Sequence, residues 1–169
     1  MKAILASIAV LAAAPLAAEP TPEQAPEPTP AQAEAIAAVD AFFTALRSDD
    51  KTALAREMDS AGTIYIHDRR DPAGSEVTIV PVAVHLENWT KSPPGLDERM
   101  IYRSVLVDGD MAQVWGPYRF IAGGKTTHCG INNMSLVKRE GRWRVANTSF
   151  TMELPSECAR LGAPEAPAR

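Results

Sequence analysis

Cysteine is scarce in this chain: Cys129 and Cys158 are the two in 169 residues. There is no Cys-x-x-Cys and no close pair among the three histidines, so the spacings of a zinc site are missing. Charge of one sign is not concentrated either. A net charge of −4 with no basic block argues against a nucleic-acid partner. There is no Gly-rich phosphate loop, no Gly-x-Ser-x-Gly elbow and no His-Glu-x-x-His, so no cofactor or metal is expected. Internal repeats are absent. Aromatic residues are few, at 6%, but all three Trp and all three Tyr fall between Tyr65 and Trp143, so they belong to the body of the domain.

A hydrophobic content of 46% in a chain of this length is enough for one core and one domain. Residues 1–18 have the form of an export signal. Lys2 precedes an apolar run from Ile4 to Leu16, and small residues before Glu19 suit cleavage. The run is too short to span a bilayer comfortably, so no membrane attachment is expected after cleavage. A periplasmic or secreted protein is the expectation. Residues 19–31 (EPTPEQAPEPTPA) form a Pro- and Glu-rich linker with nothing to bury. The domain then covers residues 32–153, and residues 154–169 form a small, polar C-terminal tail. In an oxidising compartment a Cys129–Cys158 disulfide could persist and pin that tail to the sheet. The alternative is two unrelated thiols, with Cys129 buried as a small hydrophobe.

Within the domain, Ile36, Val39, Phe42, Phe43 and Leu46 recur at helical spacing over Gln32 to Arg47. A shorter helix follows, capped by Asp49 or Asp50, with Leu54 and Met58 facing inward. Thr63 to His67 is a short β-branched strand, and strand residues from Val77 lead into a helix over Val82 to Trp89. Glu98 to Val107 and Met111 to Phe120 read as strands joined at Asp108-Gly109, with Gly116-Pro117 bending the second. Two further β-type runs follow, with turns at Gly123-Gly124 and Glu140-Gly141. Asn88-Trp89-Thr90 matches a glycosylation acceptor, which matters only in a eukaryotic secretory pathway.

This order is α+β, with a strongly bent sheet around helices. Unbroken pairing from the two turns sets His128 across from Arg119, Asn132 from Trp115, Met134 from Asn147 and Leu136 from Val145. The same register sets Cys129 across from Met152. One face then carries His128, Asn132, Met134 and Leu136 with Trp143, Val145, Asn147 and Ser149. It is apolar at one end and polar at the His128/Asn132 end. That suits a pocket, or equally a sheet face packed under helices with its polar end in water.

From Ala31 to about Met152 the chain resembles the nuclear transport factor 2-like superfamily. The likeness rests on the Phe42-Phe43 pair in the opening helix, the short second helix, and the run from Val114-Trp115-Gly116-Pro117-Tyr118 through His128-Cys129-Gly130 to Gly141-Arg142-Trp143. These motifs look most like small exported members described as SnoaL-like or lumazine-binding-like. The resemblance implies a cone-shaped, curved antiparallel sheet wrapped around N-terminal helices (the cystatin-like arrangement). It also implies a deep pocket for a small-molecule ligand and a homodimer formed through the sheet. It does not supply function, because the fold hosts unrelated chemistries. No isomerase-type Asp base or Tyr–acid pair can be placed on matching positions.

His128 is the first candidate for acid–base chemistry, since histidine titrates near neutrality, although a lone strand histidine more often has a structural hydrogen-bonding role. His67 is a second candidate if its strand ends at the same mouth, while His85 is expected on a helix surface. Tyr65, Trp89, Tyr102, Trp115 and Tyr118 are candidates to stack on a flat ligand, with Asn132 and Asn147 as polar partners. Arg99, Arg103 and Arg119 are candidates for an anionic group, although an exposed strand arginine is usually solvated, and Arg119 is counted with the ligand-binding residues. The leading expectation is an exported pocket protein for an aromatic or apolar molecule. The alternatives are a cofactor-free lyase, isomerase or hydrolase using His128, and an interaction module whose pocket is irrelevant.

Overall fold

The computed structural model describes residues 27–167. The expected export signal and residues 19–26 of the linker lie outside the described residues. The first helix, α1 (Pro30–Arg47), begins inside the segment expected to be linker. Thr29 and Gln32 make a capping box, each side chain serving the other's backbone N–H, and Pro30 occupies the first turn where its missing N–H costs nothing. Val39, Phe42, Phe43 and Leu46 form the buried stripe. A short α2 (Leu54–Glu57) follows a turn in which the Asp50 carboxylate accepts from the Thr52 N–H, and Leu54 and Met58 are buried.

The strands are β1 (Thr63–Asp68), β2 (Glu76–Pro81), β3 (Leu96–Met100), β4 (Ser104–Asp108), β5 (Met111–Ala122), β6 (Lys125–Arg139) and β7 (Arg142–Met152), with α3 (Val82–Trp89) between β2 and β3. They form one curved sheet in the order β2-β1-β7-β6-β5-β3, with β4 also paired to β5. The expected all-antiparallel sheet is corrected at one pair, since β1 and β7 run parallel. Only a hairpin forces neighbours to run antiparallel, and β1 and β7 are far apart in sequence. Both expected tight turns are present, with Gly123, Gly124, Glu140 and Gly141 all at positive φ.

The strand expected over Glu98–Val107 is two strands. Met100 pairs with Tyr118 but Ser104 pairs with Trp115, so an extra residue is accommodated opposite Gly116-Pro117. A side chain at position 116 would place its Cβ 1.8 Å from the Ile101 carbonyl oxygen, so the chains can approach only because Gly116 is there.

Two more bulges correct the expected pairing. Between β5 and β6 the register shifts after Phe120, so His128 faces Phe120 in place of Arg119, and Asn132 faces Gly116 in place of Trp115. Between β6 and β7, Leu136 faces Val145 as expected, but an extra residue at Ala146 makes Met134 face Thr148 in place of Asn147. Cys129 accordingly bridges to Glu153, not Met152. Each one-residue slip exchanges the two faces of the strand beyond it. Thr148, Phe150 and Met152 therefore turn inward, while Asn147 and Ser149 turn outward.

The stretch expected as a polar tail is ordered against the sheet. A 3-10 turn (Pro155–Glu157) leads into α4 (Cys158–Leu161), and Cys158 is joined to Cys129. Arg119 Nε donates to the Pro164 carbonyl oxygen, and Ala163 is buried. This segment lies on the outer face of the sheet, because Cys129 points away from the face that carries His128.

Candidate functional site

Between the concave face of the sheet and the helices lies a cavity of about 150 Å³. Phe42 and Leu46 reach it from α1, Met58 from the end of α2, Trp89 and His85 from α3, and Ile64 from β1. The sheet supplies Glu98 from β3, Tyr118 and Phe120 from β5, His128 and Asn132 from β6, and Thr148, Phe150 and Met152 from β7. Most of this lining is apolar, and among the described residues no Lys or Arg is part of it.

Glu98 is the buried acid of the cavity. It is 9% exposed, and its side chain meets one partner, the Asn132 amide, whose Nδ2 donates to Oε1 over 3.2 Å. Arg47 donates to the Glu98 backbone carbonyl and lies 3.7 Å from Asp97, so its charge serves Asp97 and not the Glu98 carboxyl. Burial pushes the Glu98 carboxyl up to about 8, against the smaller opposing effect of the Asn132 hydrogen bond. The Asn132 Oδ1 and the Trp89 indole N–H are buried in the same lining without a hydrogen-bond partner. Polar atoms left this way cost free energy, and where they line a cavity a ligand can satisfy them.

Glu98, Phe120 and His128 are successive partners across β3, β5 and β6, so they form one row on the inner face. Glu98 and His128 are thus two strand spacings apart, about 10 Å between backbones, with the Phe120 ring between them. The His128 imidazole stacks on Phe120 with ring centres 5.1 Å apart and meets the edge of Tyr118. The Thr127 hydroxyl donates to the Phe120 carbonyl oxygen and lies 2.9 Å from His128 Nδ1. That network assigns the proton to Nδ1 and leaves Nε2 as an acceptor. Burial, reinforced by the nearby Arg70 charge, pushes the imidazole down to about 4. His85 is also lowered by burial, with its ring 5.7 Å from that of Trp89. It faces the cavity, not the expected helix surface.

Of the residues singled out from sequence, the structure gathers His128, Asn132, Trp89 and Tyr118 in one cavity. The Tyr118 hydroxyl donates to the Thr151 carbonyl oxygen, and burial holds its pKa well above the usual phenol range. The others lie elsewhere. His67, Tyr65 and Asn147 are on the outer face, where His67 Nε2 meets the Ser149 hydroxyl and Asn147 accepts from the Thr63 N–H. His67 alternates with Ile64 and Ile66, which point inward, so it cannot share the mouth expected for it. Trp115 is exposed, Arg119 holds the C-terminal segment, and Tyr102 donates to Asp40 outside the cavity. Glu98 is the site residue that sequence reasoning missed. It could have been found as the one acidic residue on the inward phase of its strand, had the break at Ile101 been foreseen.

Among the described residues there is no group of three or more His, Cys, Asp or Glu able to hold a metal ion. None of their helices is long and apolar enough to cross a membrane.

A six-stranded curved path with α1, α2 and α3 on the concave side and a cavity between them defines a cone-shaped α+β class, and the chain has the nuclear transport factor 2-like fold. It is similar to a nuclear transport factor 2-like protein of unknown function from Shewanella baltica OS155, with a TM-score of 0.55 and 15% identity over 75% of this chain and 98% of that one. A cystatin-like protein of unknown function from Nostoc punctiforme PCC 73102 gives a TM-score of 0.56 and 11% identity over 74% of this chain and 94% of that one. A nuclear transport factor 2-like protein of unknown function from Silicibacter pomeroyi DSS-3 gives 0.52 and 17% over 71% and 93%. No family model matches the chain, and no curated protein matches it by sequence. The likeness is one of fold, and does not single out SnoaL-like or lumazine-binding-like members.

Proposed function

We propose that this is an exported pocket protein that binds a small aromatic or otherwise apolar molecule in the cavity between sheet and helices. The observation that carries the reading is the cavity itself, lined by Phe42, Trp89, Tyr118, Phe120 and Phe150 and holding buried polar atoms without protein partners. An enclosed apolar cavity with a few convergent polar groups is the usual form of a small-molecule site. Export is supported by the form of residues 1–18 and by a disulfide, which persists in an oxidising compartment. The test is a thermal-unfolding screen with monocyclic and bicyclic aromatic compounds, benzene and indole among them. A ligand at a hundred times its dissociation constant stabilises the fold by about 2.7 kcal/mol. Failure of every compound overturns the reading.

A second reading, a cofactor-free lyase, isomerase or hydrolase, is favoured by the Glu98–Phe120–His128 row. Two groups whose surroundings push their pKa values in opposite directions are suited to be acid and base for one small substrate. His128→Gln separates the readings, since glutamine keeps a hydrogen bond but cannot take up a proton as an imidazole does. A base at this position loses turnover with affinity kept. A residue that only orients a ligand loses about 0.5–1.5 kcal/mol of binding.

A further inference from the structure

Glu98 lacks a cation. A carboxyl nine-tenths buried in a protein is ordinarily paired with Arg or Lys, yet here its one side-chain partner is a neutral amide, and among the described residues no Lys or Arg lines the cavity. The Asn132 Oδ1, buried beside it, is a second acceptor without a donor. The remaining walls present aromatic rings from α1, α3, β5 and β7, whose faces carry partial negative charge and attract cations. Lys51 Nζ lies over the Trp89 ring, 5.6 Å from its centre, but among the described residues no cation reaches Glu98 or the Asn132 Oδ1, and two acceptors beside the Phe42, Phe120 and Phe150 rings are complementary to an ammonium group. Once Glu98 is ionised they repel an anion.

We infer that the cavity takes a small organic amine with an apolar or aromatic body, its ammonium group seated against the Glu98 carboxylate and the Asn132 amide oxygen and its body among Phe42, Phe120 and Phe150. This rests on the pocket reading above and narrows it to one class of ligand. The cost of ionising Glu98 in its buried site is then offset by the ligand's own charge. An alcohol of the same shape leaves that cost in place, and a carboxylate adds a second unpaired negative charge.

Binding by this route carries a pH signature. Below about pH 8 Glu98 is mainly protonated and must release its proton to accept an ammonium group. Other charged and titratable groups pack around it. Arg47 from α1 and Asp97 from β3 are paired with each other, and Arg99 also pairs with Asp97. Burial pushes His85 from α3 and His128 from β6 toward the neutral imidazole, and it holds the Tyr118 hydroxyl from β5 protonated.

The experiment titrates the purified protein calorimetrically with 2-phenylethylamine, 2-phenylethanol and 3-phenylpropionate from about pH 6 to about pH 9, where an alkylamine stays protonated. The amine is expected to bind about tenfold or more tightly than the alcohol near the top of this range, as a charge-assisted contact does, and the carboxylate most weakly. Amine affinity should climb by up to about tenfold per pH unit below pH 8 and then level, while the alcohol shows no such rise. Glu98→Gln should remove the slope and bring the amine down to the affinity of the alcohol. Equal or tighter binding of the alcohol throughout, or an amine affinity indifferent to pH, overturns the amine proposal while leaving the pocket reading intact. Absence of binding by all three probes also overturns it, and the pocket reading falls with it only if benzene and indole fail as well. Should Glu98→Gln not fold, the comparison of amine and alcohol on the unaltered protein decides alone.

Discussion

Glu98 and His128 have opposite effects on how stability depends on pH. The Glu98 carboxyl, raised from 4.5 to about 8, keeps its proton in the folded state when the unfolded chain has lost it. Its contribution to stability therefore falls as pH rises from about 4.5 to about 8, by at most about 1.4 kcal/mol per pH unit. His128, lowered from 6.5 to about 4, stays neutral in the fold while the unfolded chain takes up a proton. Its contribution is fully present above 6.5 and is lost as pH falls toward 4. Between about 4.5 and about 6.5 the two slopes oppose each other, so the unaltered protein should be nearly level there and lose stability from about 6.5 to about 8. Urea unfolding across this range checks it. Glu98→Gln should abolish the loss at the alkaline end, and His128→Gln should expose a fall that begins near pH 4.5. An unchanged profile in Glu98→Gln would mean that the carboxyl is not held in an apolar site.

At the scale of elements, β6 is the strand on which most depends. Its inner face supplies His128 and Asn132, while its outer face supplies Cys129, which holds α4. The bond closes a loop with a sequence separation of 29. In the chain-entropy model its loss through Cys158→Ser costs about 3–4 kcal/mol. Chemical unfolding of the variant measures this, and mass spectrometry of the unreduced protein should find no free thiol. Gly130 sits between these two roles. A Cβ there would lie 1.9 Å from the Thr151 carbonyl oxygen, the same atom that accepts from the Tyr118 hydroxyl. Gly130→Ala must therefore push β6 and β7 apart beneath Tyr118. A destabilisation of about 1–3 kcal/mol is expected from such overpacking, together with weaker binding by the cavity. Stability and affinity equal to those of the unaltered protein would show that the strands can part without cost.

At the scale of the whole molecule, the outer face of the sheet leaves large apolar side chains in water. Leu106, Met111 and Trp115 are exposed on β4 and β5, and Tyr65, Val77 and Ile79 on β1 and β2. Between them run polar pairs such as Gln113 with Asn133, joined over 2.7 Å. We propose, as the resemblance implies, that this mixed surface forms a homodimer through the sheet, with the C-terminal segment covering only the end near Cys129. Light scattering should give twice the chain mass for the unaltered protein and the single mass for Trp115→Glu. A monomer at all practical concentrations would overturn the proposal. The cavity lies on the opposite face of the sheet, so ligand binding should survive in the monomeric variant.

The order of helices and strands was legible in the chain because each element carries its own local signal. The helical stripe from Val39 to Leu46, the tight turns at Gly123-Gly124 and Glu140-Gly141, and the bend at Gly116-Pro117 all depend on neighbours within a few residues. The resemblance that named the fold drew on the same local motifs. What the tertiary structure alone decided was which side chains look inward. The irregularities at Thr127 and Ala146 carry no Gly or Pro, that at Ile101 is marked only by Gly116-Pro117 on the partner strand, and each moves a strand by one position relative to its partner. With side chains alternating at a period of two, one extra residue is enough to exchange Asn147 for Thr148 and Arg119 for Phe120 at the cavity. Glu98 was hidden for the same reason, since its burial depends on α1 and β6 closing over it from positions distant in sequence. An isolated strand leaves an acidic residue free to face water, and only the closed cone removes that option.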